Sequence, residues 1–389
     1  MESVLYDSNS ANSFREFMRL IPSSSALLHT ILSIAALHQA QRKIDGRYIK
    51  FQQLLYIENG TVLERATTTS EQPSAIYDAL MHKQHALRHM QKELLNSDFC
   101  NFDGTIASIL LLVWQDLMES GIDSWRYHLD ALKGVVQKRN CSSKKQNTKM
   151  QGFGSLSLYE HFEMTYATFQ VLGTTFVRTK QSYHPLFSTT PTIQIMKLSD
   201  GQSWAGCPAE LLYVISLLNN ITGSQPVTSG FKTHLLSTFE DFSPMKWAIA
   251  SESPSLMKPR YHFASAYKEA VAIYMYQVMH ELCERNSVGI PIAVSIDSII
   301  LHIRSLCHED AHFKCLVWPA FVIGAEARQE SQRVAIIQVF EHLWTIWRCQ
   351  NVKNALNVLT DLWARHDQRG YSGPWIGDIH GWGMDWIFI

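Results

Sequence analysis

Apolar residues recur at intervals of three and four along most of this chain, the spacing of a helix face packed on a core. After Pro22 and a serine run, Leu27, Leu28, Ile31, Ile34, Ala35 and His38 form one such stripe, with Ser24 or Ser25 placed to cap its first turn. A second helix is predicted over about 74–95, with Ile76, Leu80, Leu87, Met90 and Leu94 facing inward. A third, 105–118, is apolar almost all round and is expected to be buried on most sides. Gly121 stops it, and Asp123 or Ser124 opens a fourth in which Trp125, Leu129, Leu132 and Val136 face one way. Helical spacing returns over 158–172, 211–218, 267–282 and 296–306. It continues in a long helix carrying Val334, Ile337, Phe340, Trp344 and Trp347, then in another with Ala355, Val358, Leu359 and Leu362.

Between these segments the pattern breaks. Polar, Ser-, Thr-, Pro- and Gly-rich stretches at about 140–155, 181–208 and 222–258 read as irregular loops, and 371–389 is too rich in Gly and Trp to be regular. Strand-like alternation is confined to 193–196 and the region of 382–388. No repeat of fixed period and no long heptad run occurs. The expectation is an all-α fold, a single helical array of ten or more helices spanning residues 1–389.

Composition narrows the partners. A chain of 389 residues, 46% of them hydrophobic, has ample material for a large core. Its 34 basic and 35 acidic residues leave a formal net charge of −1, so no long-range field draws it to DNA or to an anionic membrane. The seven cysteines are widely spaced and include no C-x-x-C pair, the pattern of reduced intracellular thiols. The first residues hold no apolar signal core, and the longest apolar run, 106–114, is interrupted by Ser108 and too short to span a bilayer. A soluble protein of the cytosol or nucleus, with no membrane partner, is expected.

The order of segments is similar to a known family. SNSANSFREFMRLIPSSSALLHTILSIAALHQA (8–40) resembles the opening of the fungal-specific transcription factor domain that lies downstream of zinc binuclear clusters. IYDALMHKQHALRHMQKEL (76–94) resembles its second helix. ILLLVWQDLMESGIDSWRYHLDALKGVVQKR (109–139) resembles its apolar helix, acidic turn and Trp-x-x-His-Leu helix. In CLVWPAFVIGAEARQESQR (315–333), Trp318, Pro319, Gly324, Glu326 and Arg328 follow the family's Trp-Pro…Gly-x-Glu-x-Arg pattern. The resemblance covers nearly the whole chain and implies a nuclear regulator of transcription. In some members the helical domain senses a small molecule, masks an activation segment or mediates dimerisation. The chain departs from the family in lacking the six-cysteine segment that holds two zinc ions. Sequence-specific DNA contact is therefore not expected from it, and action through a partner, or as an isolated domain of a longer product, is.

Four groups carry candidate chemistry. His308-Glu309-Asp310-Ala311-His312 is a literal H-E-x-x-H, the spacing that places two zinc ligands one helical turn apart with a general base between them. Its surroundings argue against that role: Asp310 follows the glutamate, and the segment falls in a loop before the LVWPAF helix, with only Glu326 and Glu330 conceivable as a third ligand. His82, His85 and His89 fall on the helix face opposite Ile76, where a solvated face is expected and weak metal binding is the alternative. His29 and His38 border the first core helix and are expected as hydrogen-bonded edge residues. Lys133, Lys138, Arg139, Lys144, Lys145 and Lys149 put six cations and no acid in 17 residues, which suits either a nuclear import signal or a solvated loop.

No nucleotide, dinucleotide or α/β-hydrolase motif occurs. The reading is a non-enzymatic nuclear transcriptional regulator, pathway-specific in the manner of a secondary-metabolite regulator. No catalytic, metal or cofactor residue is assigned. Its partner is a DNA-bound regulator or a second copy, with an apolar small molecule as possible effector. The alternatives are a zinc hydrolase centred on His308, Glu309 and His312, and a small-molecule-binding helical protein with no part in transcription.

Overall fold

Sixteen α-helices and no β-strand make up the described residues of the computed structural model. Those residues are 13–43, 72–95, 102–143, 158–178, 183–186, 192–198, 205–221, 227–250, 254–282, 295–370 and 374–389. The chain divides into two compact units: Phe14–Lys149 with Arg348–Asn351, and Met150–Trp347 with Val352–Ile389 and Met1–Ser13. No helix of the described residues is long and apolar enough to cross a membrane.

The amino-terminal unit contains α1 (Ser13–Leu20), α2 (Ser25–Lys43), α3 (Gln72–Leu95), α4 (Phe102–Glu119) and α5 (Ser124–Ser143). Ser24 caps α2, its Oγ accepting from the Leu27 amide at 3.2 Å. As expected, α4 is buried along nearly its whole length. It ends where the amides of Ser120 and Gly121 both donate to the Asp116 carbonyl, at 2.8 and 2.7 Å, with Gly121 at φ 70°. The α5 stripe of Trp125, Leu129, Leu132 and Val136 is buried as predicted.

The inward faces of α2 and α3 differ from expectation. On α3, Met90 is buried as predicted, but Leu80 and Leu87 are 40% and 42% exposed, and Ala75, Ala79 and Ala86 are buried instead. On α2 the buried set is Ala26, Leu27, Thr30, Ser33, Ile34, Leu37, Ala40 and Gln41, while Leu28 is exposed. The physical reason is a close approach of two antiparallel helices. Ser33 Oγ reaches the Ala79 main-chain carbonyl at 2.6 Å, and His29 meets His82 one turn along. Only small side chains fit so tight a seam, so the larger leucines turn outward.

The carboxy-terminal unit holds α6 (Leu158–Gly173), α7 (Thr192–Leu198), α8 (Ala209–Asn219), α9 (Ser229–Asp241), α10 (Pro244–Ile249), α11 (Met257–Leu282), α12 (Ile296–Arg304), α13 (Val317–Ala325), α14 (Glu330–Trp347), α15 (Gln350–Arg369) and α16 (Trp375–Gly381). Its centre is the apolar α13, buried at every position, beside α11, where Tyr267, Val271, Tyr274 and Val278 are buried as their spacing predicted. Phe176, Phe321, Trp375 and Phe388 pack ring to ring, with centroids 4.5 to 6.3 Å apart.

Several stretches expected to be irregular are helical. Within 222–258, Thr228 and Ser243 cap α9 and α10 through their hydroxyls, and Pro244 occupies the first turn of α10. The Ser, Thr and Pro residues that read as loop composition are helix-start signals here. The 193–196 alternation lies inside α7, with Ile195 and Met196 buried. Of the loop placed at 140–155, residues 140–143 belong to α5, and the rest lies outside the described residues. Within 371–389, Trp375, Ile376 and Ile379 are buried on α16. On α14, Phe340 of the predicted stripe is buried, but its companions on the buried face are Ala335, Ile336, Val339 and Leu343, and Val334 is 41% exposed.

Candidate functional site

The Trp-Pro…Gly-x-Glu-x-Arg segment is a structural knot. Trp318 is 1% exposed, stacks on Tyr267 with centroids 5.6 Å apart and 13° between planes, and donates its Nε1–H to Thr175 Oγ1 at 3.1 Å. A Cβ on Gly324 would lie 2.8 Å from Leu359 Cδ1 and 2.9 Å from Ile336 Cγ2, so only glycine fits without displacing them. The Gly324 carbonyl accepts from Trp363 Nε1 at 2.9 Å. Glu326 Oε1 accepts from Gln277 Nε2 at 2.5 Å and from Trp375 Nε1 at 3.0 Å, which ties α11 and α16 to the end of α13. Arg328 lies exposed just past α13, where its amide donates to Gln332 Oε1 at 3.1 Å. The polar atoms in these contacts brace one helix against another.

The H-E-x-x-H segment does not present its residues along one helix face. It lies on turns between α12 and α13 rather than on one helix. His308 is exposed and stacks on His342, with centroids 3.6 Å apart, and sets its edge against Phe313. His312 is buried beneath Phe263 and Trp247, at 4.8 and 6.1 Å. Burial, aided by the Lys314 charge, pushes its pKa down to about 3, so it is a neutral core imidazole. The Asp310 carboxylate accepts from the His312 amide at 2.8 Å, and Glu309 pairs with the Cys307 thiol. The two imidazoles thus face different neighbours. Among the described residues, no three His, Cys, Asp or Glu donors converge on a point suited to a metal ion.

The face of α3 bearing His82, His85 and His89 is not simply solvated. It meets His29 of α2, whose ring lies 5.2, 5.1 and 5.5 Å from theirs, and the Nδ1 atoms of His29 and His82 are 3.0 Å apart. His38 is half-buried, its pKa held down by burial and by Arg42. Of the basic cluster, Lys133 pairs with Asp130 at 2.9 Å and Lys138 donates to the Leu94 carbonyl at the end of α3. These contacts give the first cations structural work. Lys144, Lys145 and Lys149 lie outside the described residues.

Sequence reasoning missed a buried polar network in the amino-terminal unit. Lys83 Nζ donates to Glu119 Oε2 at 2.6 Å and to Asp116 Oδ1 at 3.2 Å. Gln115 Nε2 links Glu119 at 2.8 Å to Ser33 at 2.9 Å, and His128 Nε2 lies 3.3 Å from Asp116 Oδ2. Burial opposes the charge on Lys83, but Glu119 and Asp116 outweigh it and raise its pKa. Burial, with the Lys83 charge, lowers His128 to about 4. The signal was present in the sequence: Asp116 and Glu119, three residues apart, are the acids at the end of an otherwise apolar α4.

The family model for the fungal specific transcription factor domain matches residues 3–388. The chain is also similar to the acriflavine sensitivity control protein acr-2 of Neurospora crassa, with 22% identity over 393 residues. That alignment covers 95% of this chain and 61% of the relative, so the chain spans about three fifths of the relative's length. No solved structure matches it. With its model matched over nearly the whole length, the chain belongs to the fungal specific transcription factor domain family.

Proposed function

We propose that residues 1–389 form one regulatory domain of a pathway-specific transcription factor that works in the nucleus by presenting a protein-binding surface. The observation that carries this reading is the family match from residue 3 to residue 388, in a chain whose family-motif side chains pack and brace helices. Net charge of −1 provides no electrostatic basis for direct DNA affinity, so a DNA-bound partner supplies the address. A secondary-metabolite gene set is the proposed target, and an apolar effector would act by binding two states of the domain unequally. The test is chromatin occupancy of the tagged chain in its own cell. Discrete promoter peaks that vanish when the partner regulator is deleted support the proposal. A tagged chain that stays outside the nucleus, or occupies no promoter, contradicts it.

A further inference from the structure

Four imidazoles gather at the α2–α3 seam, which no reading of either helix alone would place together. His29 stands at the middle, with His82, His85 and His89 around it at 5.1 to 5.5 Å. We propose that His29, His82, His85 and His89 bind a divalent transition-metal ion that staples α2 to α3. The Nδ1 atoms of His29 and His82 are 3.0 Å apart. Two nitrogens sharing a tetrahedral zinc at about 2.0 Å sit about 3.3 Å apart, so this pair needs only a small opening to chelate. His85 and His89 are spaced i, i+4, the helical spacing that directs two imidazoles to one ion.

The surrounding charges favour a borderline metal over Mg²⁺ or Ca²⁺. α2 contains no acidic residue, and Lys83, next to His82, is turned onto Asp116 and Glu119. Glu93, one turn beyond His89, is a carboxylate whose field reaches the cluster, and it also accepts from Thr105 Oγ1 at 2.9 Å. An all-imidazole donor set suits Zn²⁺, Cu²⁺ or Ni²⁺. The three donors needed do not yet converge on one point, so binding rotates at least one imidazole. All four rings are half-buried, which leaves them room to turn.

The site is tested by calorimetric titration of Zn²⁺ into the purified full chain, with thermal melts in Zn²⁺ and in chelator. The expected result is roughly one equivalent bound and a higher melting temperature in Zn²⁺. Affinity is expected to fall as pH drops from about 7.5 to 5.5, because protonated imidazoles do not bind metal. Both H82N/H85N/H89N and the independent H29N, on the other helix, should weaken binding at least about tenfold while keeping wild-type helicity. Binding that survives in the triple variant and disappears in H262N/H302N would assign the metal to the other close imidazole pair, with Nδ1 atoms also 3.0 Å apart, and overturn the proposal. No measurable Zn²⁺ uptake by the folded wild-type chain would overturn it as well.

Discussion

The two units bury different things. The carboxy-terminal unit is centred on large rings, with Trp318, Tyr267, Tyr274, Phe321 and Trp375 all nearly inaccessible. The amino-terminal unit is seamed with Ala26, Ala40, Ala79 and Ala86 and carries Ser33, Gln115, Asp116 and Glu119 inside. Large rings are held by area and shape, so cavities are what threaten that core. A small-residue seam is held by close backbone approach and by the hydrogen bonds and ion pairs its polar groups make, so bulk and unpaired charge are what threaten it.

The largest effect should come from emptying the aromatic core. Trp318→Ala removes a fully buried indole and its hydrogen bond to Thr175, and should cost about 3–5 kcal/mol in urea denaturation. A loss below about 1 kcal/mol would mean the core is not centred there. In the other unit, Lys83→Met leaves Asp116 and Glu119 buried without their cation and should cost about 3 kcal/mol. Adding Glu119→Gln to it should restore part of that loss, and a double-mutant cycle measures the coupling.

Bulk discriminates the seams next. Ala86→Leu should cost about 1–3 kcal/mol by forcing α2 and α3 apart, whereas the neighbouring Leu87→Ser should stay near about 0.5 kcal/mol. The reverse order would restore the leucine stripe as the buried face. Acid sensitivity follows from His312 and His128, whose folded pKa values of about 3 and about 4 lie below the ordinary 6.5. A depressed histidine adds stability above its unfolded pKa and loses it as pH falls. Each unit should therefore weaken below about pH 6.5, by about 1–2 kcal/mol at pH 5 per histidine. His312→Gln and His128→Gln should each flatten the pH dependence measured by thermal melts.

Legibility in the sequence followed side-chain size and local composition, not the division into units. The stripe carrying Tyr267, Val271, Tyr274 and Val278 was readable because large apolar residues at helical spacing have nowhere else to go. The Trp318–Arg328 pattern announced its family for the same reason. On α2 and α3 hydrophobicity misled, because the selection there was for smallness: Ala79 and Ser33 carry little apolar weight yet sit at the contact. The partnership of His29 with His82, His85 and His89 depends on two helices meeting, which periodicity within one helix does not contain. α9 and α10 were hidden by composition, since Thr228, Ser243 and Pro244 start helices with the same residues that make loops.

The central claim, that this array regulates transcription rather than catalysing or merely binding, is tested most directly by fusing residues 1–389 to a foreign DNA-binding domain and reading a reporter that carries only that domain's sites. The account predicts reporter output clearly different from the DNA-binding domain alone, and a return to baseline when Trp318→Ala unfolds the fusion. A folded, nuclear fusion that leaves the reporter at the level of the DNA-binding domain alone, in the organism's own cells, would contradict it.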